Sequence, residues 1–289
     1  MLPGSMSAKT QINKDVILIP FIKVRKLITV EANLNGEKRT FLLDNGAPDI
    51  VLNSGYINVG EETAWKAVSA QGANGDIVGM GNLNLKKFDF YGIRIENKEV
   101  FATDLSHLEK VLKTELYGLI GYDVIKDFDV LFDYEKHTIT LINPLKTNSY
   151  LATTLKGVAT TEIPLIMKGH IAAVEGIVAD KTLSLGVDCG AEGNLFDSAL
   201  FNLLQVGLVN LESKPLMGGD QIANTVKRAT IISMSIGNKI FKDTATVFND
   251  ISHINNTLDG KIDGVIGYEI LSTQKVILSY QSKKLIFIE

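Results

Sequence analysis

The chain has 289 residues, 45% of them hydrophobic, which is enough for two domains with buried cores. A formal net charge of −4 gives no electrostatic case for binding nucleic acid or an anionic membrane surface. Cys189 is the single cysteine, which excludes an intramolecular disulfide and a cysteine metal cluster.

Residues 1–14 read as a polar, aperiodic tail, and Met6 after Gly4-Ser5 reads as an engineered junction. The start lacks the basic and apolar regions of a signal peptide, and no run of about 18 apolar residues spans a membrane. A leader removed at that junction would place the protein in the periplasm or beyond, with the cytoplasm as the alternative.

From Asp15 the pattern turns strand-like. Val16–Ile22 and Leu27–Asn33 are apolar runs, Asn35-Gly36 is a hairpin signal, and Thr40–Leu43 returns as a strand that delivers Asp44. Residues 66–91 are glycine-rich and polar, and they read as a hairpin outside the core. Strands are expected again over Phe88–Ile95, with a turn at Glu96-Asn97-Lys98. Asp104 is placed to cap a helix over Ser106–Leu116 whose apolar face covers the sheet. Gly118–Gly121 is a buried-looking run, a short helix is expected near Asp123–Lys126, and a last hairpin turns at Glu135-Lys136.

The pattern then restarts. Leu185-Gly-Val-Asp188-Cys-Gly190-Ala191 repeats Phe41-Leu-Leu-Asp44-Asn-Gly46-Ala47, with Asp188 standing 144 positions after Asp44. Ile163-Pro164 repeats Ile19-Pro20, Asp250–Ile254 repeats Asp104–Leu108, and Asp263–Tyr268 repeats Tyr117–Tyr122. Gly237-Asn-Lys239 is set against Asn97-Lys98. The chain therefore divides into a tail (1–14), a first lobe (15–145), a linker (146–158) and a second lobe (159–289). A period this long is not that of a solenoid. Two related units suggest a pseudo-twofold pair, so equivalent residues can meet at the axis.

One Asp-x-Gly says little, because both residues are common in turns. Two copies inside a longer repeat can bring two carboxylates together. Such a pair shares one proton. The charged member can then deprotonate a water while the protonated member donates to an amide carbonyl. Gly46 and Gly190 allow close backbone approach, and Ala47 and Ala191 keep the floor small.

These residues resemble those of a retropepsin-like aspartic protease in a fused, pepsin-like two-domain arrangement, over about residues 15–289. Three duplicated features carry the resemblance. They are the Asp-x-Gly-Ala turns, the glycine-rich hairpins, and the apolar-apolar-Gly elements Leu119-Ile120-Gly121 and Val265-Ile266-Gly267. The resemblance implies a mainly β, acid-protease fold: two similar β-barrel lobes related by a pseudo-twofold, with the active site in the cleft between them. It also implies catalysis by Asp44 and Asp188 on a peptide or protein substrate, no metal or organic cofactor, and a monomer. Gly72, Ala73, Asn74, Gly75 and Asp76, with Gly218, Gly219 and Asp220, would form flaps over an extended peptide, and the apolar-apolar-Gly elements would cross under the turns.

One departure stands out. The family has Thr or Ser after each Asp, whereas this chain has Asn45 and Cys189. Asn can donate and accept, but Cys is a weak donor. An inactive, protease-like peptide-binding protein is therefore the alternative. Other features have plainer readings. Cys189 reads as a buried small residue rather than a nucleophile, since no His is near it in sequence. Gly72–Gly81 lacks the lysine of a P-loop, His107 and His253 read as helix-start residues rather than metal ligands, and Tyr122 and Tyr268 read as core packing.

Overall fold

The computed structural model describes residues 14–57, 66–67, 70–72, 75–77, 81–154, 156, 158–217 and 223–289. The fold is mainly β, with two barrel-like lobes joined by a shared sheet. In the first lobe, strands Leu27–Leu34, Glu37–Leu43, Gly118–Ile120, Val51–Asn53, Ile93–Thr103 and Gly81–Phe90 are neighbours in that order. Pairing of Asn33 and Leu34 with Asp89 and Phe88 closes the ring. The second lobe repeats this order with Ile171–Val178, Lys181–Val187, Gly264–Ile266, Asn194–Asp197, Lys239–Asn249 and Ala223–Ile236, closed by Gly176–Val178 on Met234–Ile236.

The lobes are joined by a six-stranded antiparallel sheet. Its order is Val16–Pro20, Thr138–Ile142, Asp129–Asp133, Lys275–Ser279, Lys284–Ile288 and Thr160–Pro164. At its centre Leu131 pairs with Ile277. These residues are repeat equivalents, at the same spacing that separates Gly121 from Gly267. The pseudo-twofold axis therefore passes through this pair. One continuous apolar core runs through both lobes and this sheet, with Phe41, Phe88, Phe132, Phe196, Phe248 and Phe287 all fully buried. Burying each such ring contributes roughly 2–3 kcal/mol.

Several local expectations change. A barrel strand already begins at Gly81, and Lys66–Ala67 pairs with it, so part of the 66–91 segment belongs to the barrel sheet. The turn falls at Tyr91-Gly92, where both residues have positive φ, and not at Asn97. Asn97 instead lies inside the strand, where its positive φ interrupts the extended backbone without shifting the register, since Glu96 pairs with Lys87 and Lys98 with Leu85. Asp243 has the matching positive φ in the second lobe, so Gly237 corresponds to Tyr91-Gly92. The helix after Asp104 ends at Leu112, because Lys113 adopts the left-handed conformation. Asp104 accepts from Ser106 N at 2.8 Å, and Leu105, Leu112 and Leu116 pack on Leu27 and Leu42. The linker holds the helix Thr147–Thr154, started by Asn143 and Pro144. Its Tyr150 and Leu151 cover the outer apolar face of the joining sheet.

Gly118–Ile120 and Gly264–Ile266 each insert between two strands of their own barrel, parallel to the strand that delivers the aspartate. Ile120 O accepts from Asp44 N, and Ile266 O from Asp188 N, both at 3.0 Å. Gly121 then passes so close to Ala47 that a Cβ would stand 2.6 Å from the Ala47 carbonyl oxygen, and Gly267 crowds Ala191 in the same way. Gly121→Ala is expected to cost about 2 kcal/mol or more through overpacking against backbone. Chemical denaturation checks this, and an unchanged midpoint would mean that the crossing has slack.

Candidate functional site

Asp44 and Asp188 end equivalent strands and face each other at the bottom of the seam between the lobes. Each keeps some exposed surface but is surrounded by protein on its other sides. Asp44 accepts from Gly46 N at 2.9 Å and Ala47 N at 3.3 Å, and Asp188 accepts from Gly190 N at 2.7 Å. The two carboxyl groups lie close enough to perturb each other's ionisation. The glycines set the spacing: a Cβ on Gly46 would lie 2.7 Å from Asp188 Oδ2, and one on Gly190 would lie closer still to Asp44 Oδ1.

Beneath the carboxylates, the residues after them cross the axis. Asn45 is fully buried; its Nδ2 donates to Val187 O at 2.7 Å, and its Oδ1 accepts from Cys189 N at 2.7 Å. Cys189 Sγ reaches Leu43 O at 3.5 Å, a weak contact. Asn45 thus carries most of the tie between the turns.

Burial is the main cause that raises both carboxyl pKa values. For Asp188 the charge on Asp44 adds to it, pushing Asp188 up to about 8. Asp44 is raised too, against the opposing effects of the Gly46 and Ala47 N–H groups, the Asp188 carboxyl and, least, the charge on His170. A close carboxyl pair of this kind holds one proton between them.

The remaining predicted residues divide by place. Leu119, Ile120, Val265 and Ile266 buttress the turns from behind, as described. Gly72, Gly75 and Asp76 lie on the paired strands Ala70–Gly72 and Gly75–Ile77. This ribbon approaches the helix Ser252–Asn255 of the opposite lobe. Ala73, Asn74, Gly218, Gly219 and Asp220 lie outside the described residues. Among the described residues no cluster of three or more His, Cys, Asp or Glu could hold a metal, and no helix is long and apolar enough to cross a membrane.

Three features were not singled out from the sequence. Tyr134 and Tyr280, buried repeat equivalents, stand edge-on to Tyr268 and Tyr122 and form an aromatic floor below the turns. Burial pushes both phenols well above the usual range. Their repeat spacing could have found them. The second feature is a clasp. Arg25 Nε pairs with Glu192 at 2.9 Å, Lys26 pairs with Glu269, and Lys23 Nζ donates to Tyr268 OH at 3.3 Å, all from first lobe to second. The third is His170, whose Nε2 lies 2.9 Å from Gly46 O. The repeat gave no signal for it, because its equivalent is Lys26.

No family model matches this chain, and no curated protein matches it. Among solved structures, the crystal structure of basic 7S globulin from soybean is similar over 94% of this chain and 94% of its own, with a TM-score of 0.50 and 8% sequence identity. A likeness at that identity shows the fold alone. The assignment to the retropepsin-like and pepsin-like family is therefore corrected. Two barrels on a shared sheet account for the similar pattern of strands, while the hydroxyl residues that tie that family's turns are Asn45 and Cys189 here. What the fold and site define is a two-lobed β protein with a paired carboxylate at its axis.

Two outcomes are expected. Asn45→Ala leaves the Val187 carbonyl and the Cys189 amide without their partner, which should cost about 2–4 kcal/mol in chemical denaturation. The pH dependence follows from Asp188, whose folded pKa is raised above its unfolded value near 4. The folded state then binds the extra proton, so stability is greatest below about pH 4 and declines as pH rises toward 8. Asp188→Asn should reduce that decline, leaving the share that Asp44 contributes. Denaturation midpoints at pH 4, 6 and 8 decide the matter, and parallel curves for parent and variant would refute the shared proton.

Proposed function

We propose that the chain is an aspartic-type endopeptidase, by chemistry rather than by family. Asp44 acts as the base that deprotonates a water held between the carboxyl groups. Asp188 donates its proton to the carbonyl oxygen of the scissile amide, and the two exchange roles as the tetrahedral intermediate collapses. The turn residues Asn45, Gly46, Ala47, Cys189, Gly190 and Ala191 hold the pair rigid. The ribbon at 70–77 and the residues near 218–220 would close over an extended peptide. The observation that carries this reading is the carboxyl pair itself: two acids face each other, and each is crowded by the glycine of the opposite turn. A fold that needed only stability would gain by replacing one of them.

The second reading is a cleft that retains a peptide without cutting it. It is favoured by the weak Cys189 contact on one side of the tie. The similar solved structure is named a globulin, a name that carries no activity.

The test is cleavage of a mixed peptide pool from about pH 3 to 8. Asp44→Asn and Asp188→Asn should each lower the rate by ~10³-fold or more. Activity should fall as pH rises through about 8, where Asp188 loses its proton. Folded parent protein that binds peptides but cleaves none would establish the retaining cleft instead.

A further inference from the structure

The two turns are equivalent in sequence but not in what grips them from the opposite lobe. Lys26 of the first lobe reaches past the second turn and pairs with Glu269. Its equivalent in the second lobe, His170, follows the Lys168-Gly169 bend, where Gly169 has a φ of +63°. His170 turns directly onto the first turn, with Nε2 at 2.9 Å from Gly46 O. A carbonyl can only accept, so Nε2 carries the proton. Gly46 is then fixed at three points: its N donates to Asp44, its Cα lies against Asp188, and its O accepts from His170.

We infer that His170 is a positioning residue that holds the first catalytic turn from across the cleft and, when protonated, keeps the negative charge of the pair on Asp44. This rests on the hydrolase reading above. Among the described residues, the groups placed near the imidazole are Asp44 of the first turn, Tyr122, whose ring is 6.3 Å away, and Lys126 over that ring. Of these, the Asp44 charge is the one that an imidazolium stabilises beside the reacting atoms, and its effect on Asp44 is in that direction. The sign follows: removing the imidazole charge makes Asp44 harder to ionise, so its titration moves to higher pH.

The experiment compares the full-length parent with His170→Gln and His170→Ala. Gln keeps a donor at about the reach of Nε2 without a titratable charge, whereas Ala removes both. Carbon-13 NMR of labelled aspartate carboxyls, assigned with Asp44→Asn, follows the pair through pH 2 to 9. In both variants the first ionisation of the pair should rise by about half a pH unit or more. The acid limb of kcat/KM should move with it. In His170→Ala kcat should fall about tenfold with little change in KM, and Gln should recover part of that loss. An unchanged carboxyl titration in folded His170→Gln would overturn the inference, even if His170→Ala fails to fold. If the parent cleaves no peptide, the hydrolase reading fails by itself, and the carboxyl titration still decides what His170 does to Asp44.

Discussion

Asp44 and Asp188 repel each other when both are charged, and taking them out of water adds to the cost. Much of the architecture serves to hold them together against that tendency. Each rides on the end of a barrel strand whose outward path is blocked by the inserted strand behind it. The last carbonyl of that inserted strand accepts the aspartate's own N–H. Each turn is crowded by the next glycine of its own lobe and by the carboxylate of the other. Under the pair, Asn45 joins the two turns through buried hydrogen bonds, where the low local dielectric makes them stronger. Away from the pair, the joining sheet fixes the lobes at the one register that lets Leu131 meet its own equivalent. The repulsion is thus opposed at several distances, and the site cannot relax by letting the lobes drift apart.

The sequence made the frame legible because the frame is duplicated. A strand ending in Asp, followed by Gly-Ala, is weak as a single signal and strong when it recurs in register with Ile-Pro, Asp-x-Ser-His and the apolar-apolar-Gly runs. Elements carried by that repeat were placed well. Those that depend on local backbone geometry were not. Asn97-Lys98 resembles a turn in composition, yet the chain turns six residues earlier, at Tyr91-Gly92, and Asn97 lies inside the strand with the register unchanged across it. The polar 66–91 segment hid the strand Gly81–Phe90, whose Leu83 and Leu85 face inward and whose Phe88 and Phe90 do so again after the exposed pair Lys86-Lys87 breaks the alternation. His170 was not legible, since its importance lies in a contact with a carbonyl that no pattern of side chains reports.

The likeness to a plant globulin at 8% identity explains why fold and family must be kept apart here. A closed barrel of this size, doubled and joined through one sheet, constrains hydrophobic spacing, the glycines at close crossings and the length of the repeat. Apart from the aspartates themselves, these are among the features that suggested a family. They are demanded by the architecture, so they recur wherever the architecture does. The functional argument must therefore rest on what the architecture does not demand. Two buried acids that touch are such a feature. Barrel closure does not require them, and they cost stability above acidic pH.

The differences between the halves carry the remaining information. Some preserve a role with different atoms. Asp133 closes its hairpin by accepting from Lys136 N, and Ser279 does the same for Ser282 N. Others remove a role from one side. Glu192 meets Arg25 across the seam, but their equivalents are Pro48 and Gly169, which cannot form an ion pair. Asn45 spans the axis with two strong hydrogen bonds while Cys189 makes one weak contact. Acid–base chemistry on an amide needs one carboxylate and one carboxylic acid, and an exact twofold cannot specify which is which. A duplicated chain can. Here the imidazole of His170 grips the first turn alone, while its equivalent Lys26 pairs with Glu269, so the two turns differ in what holds them from the opposite lobe.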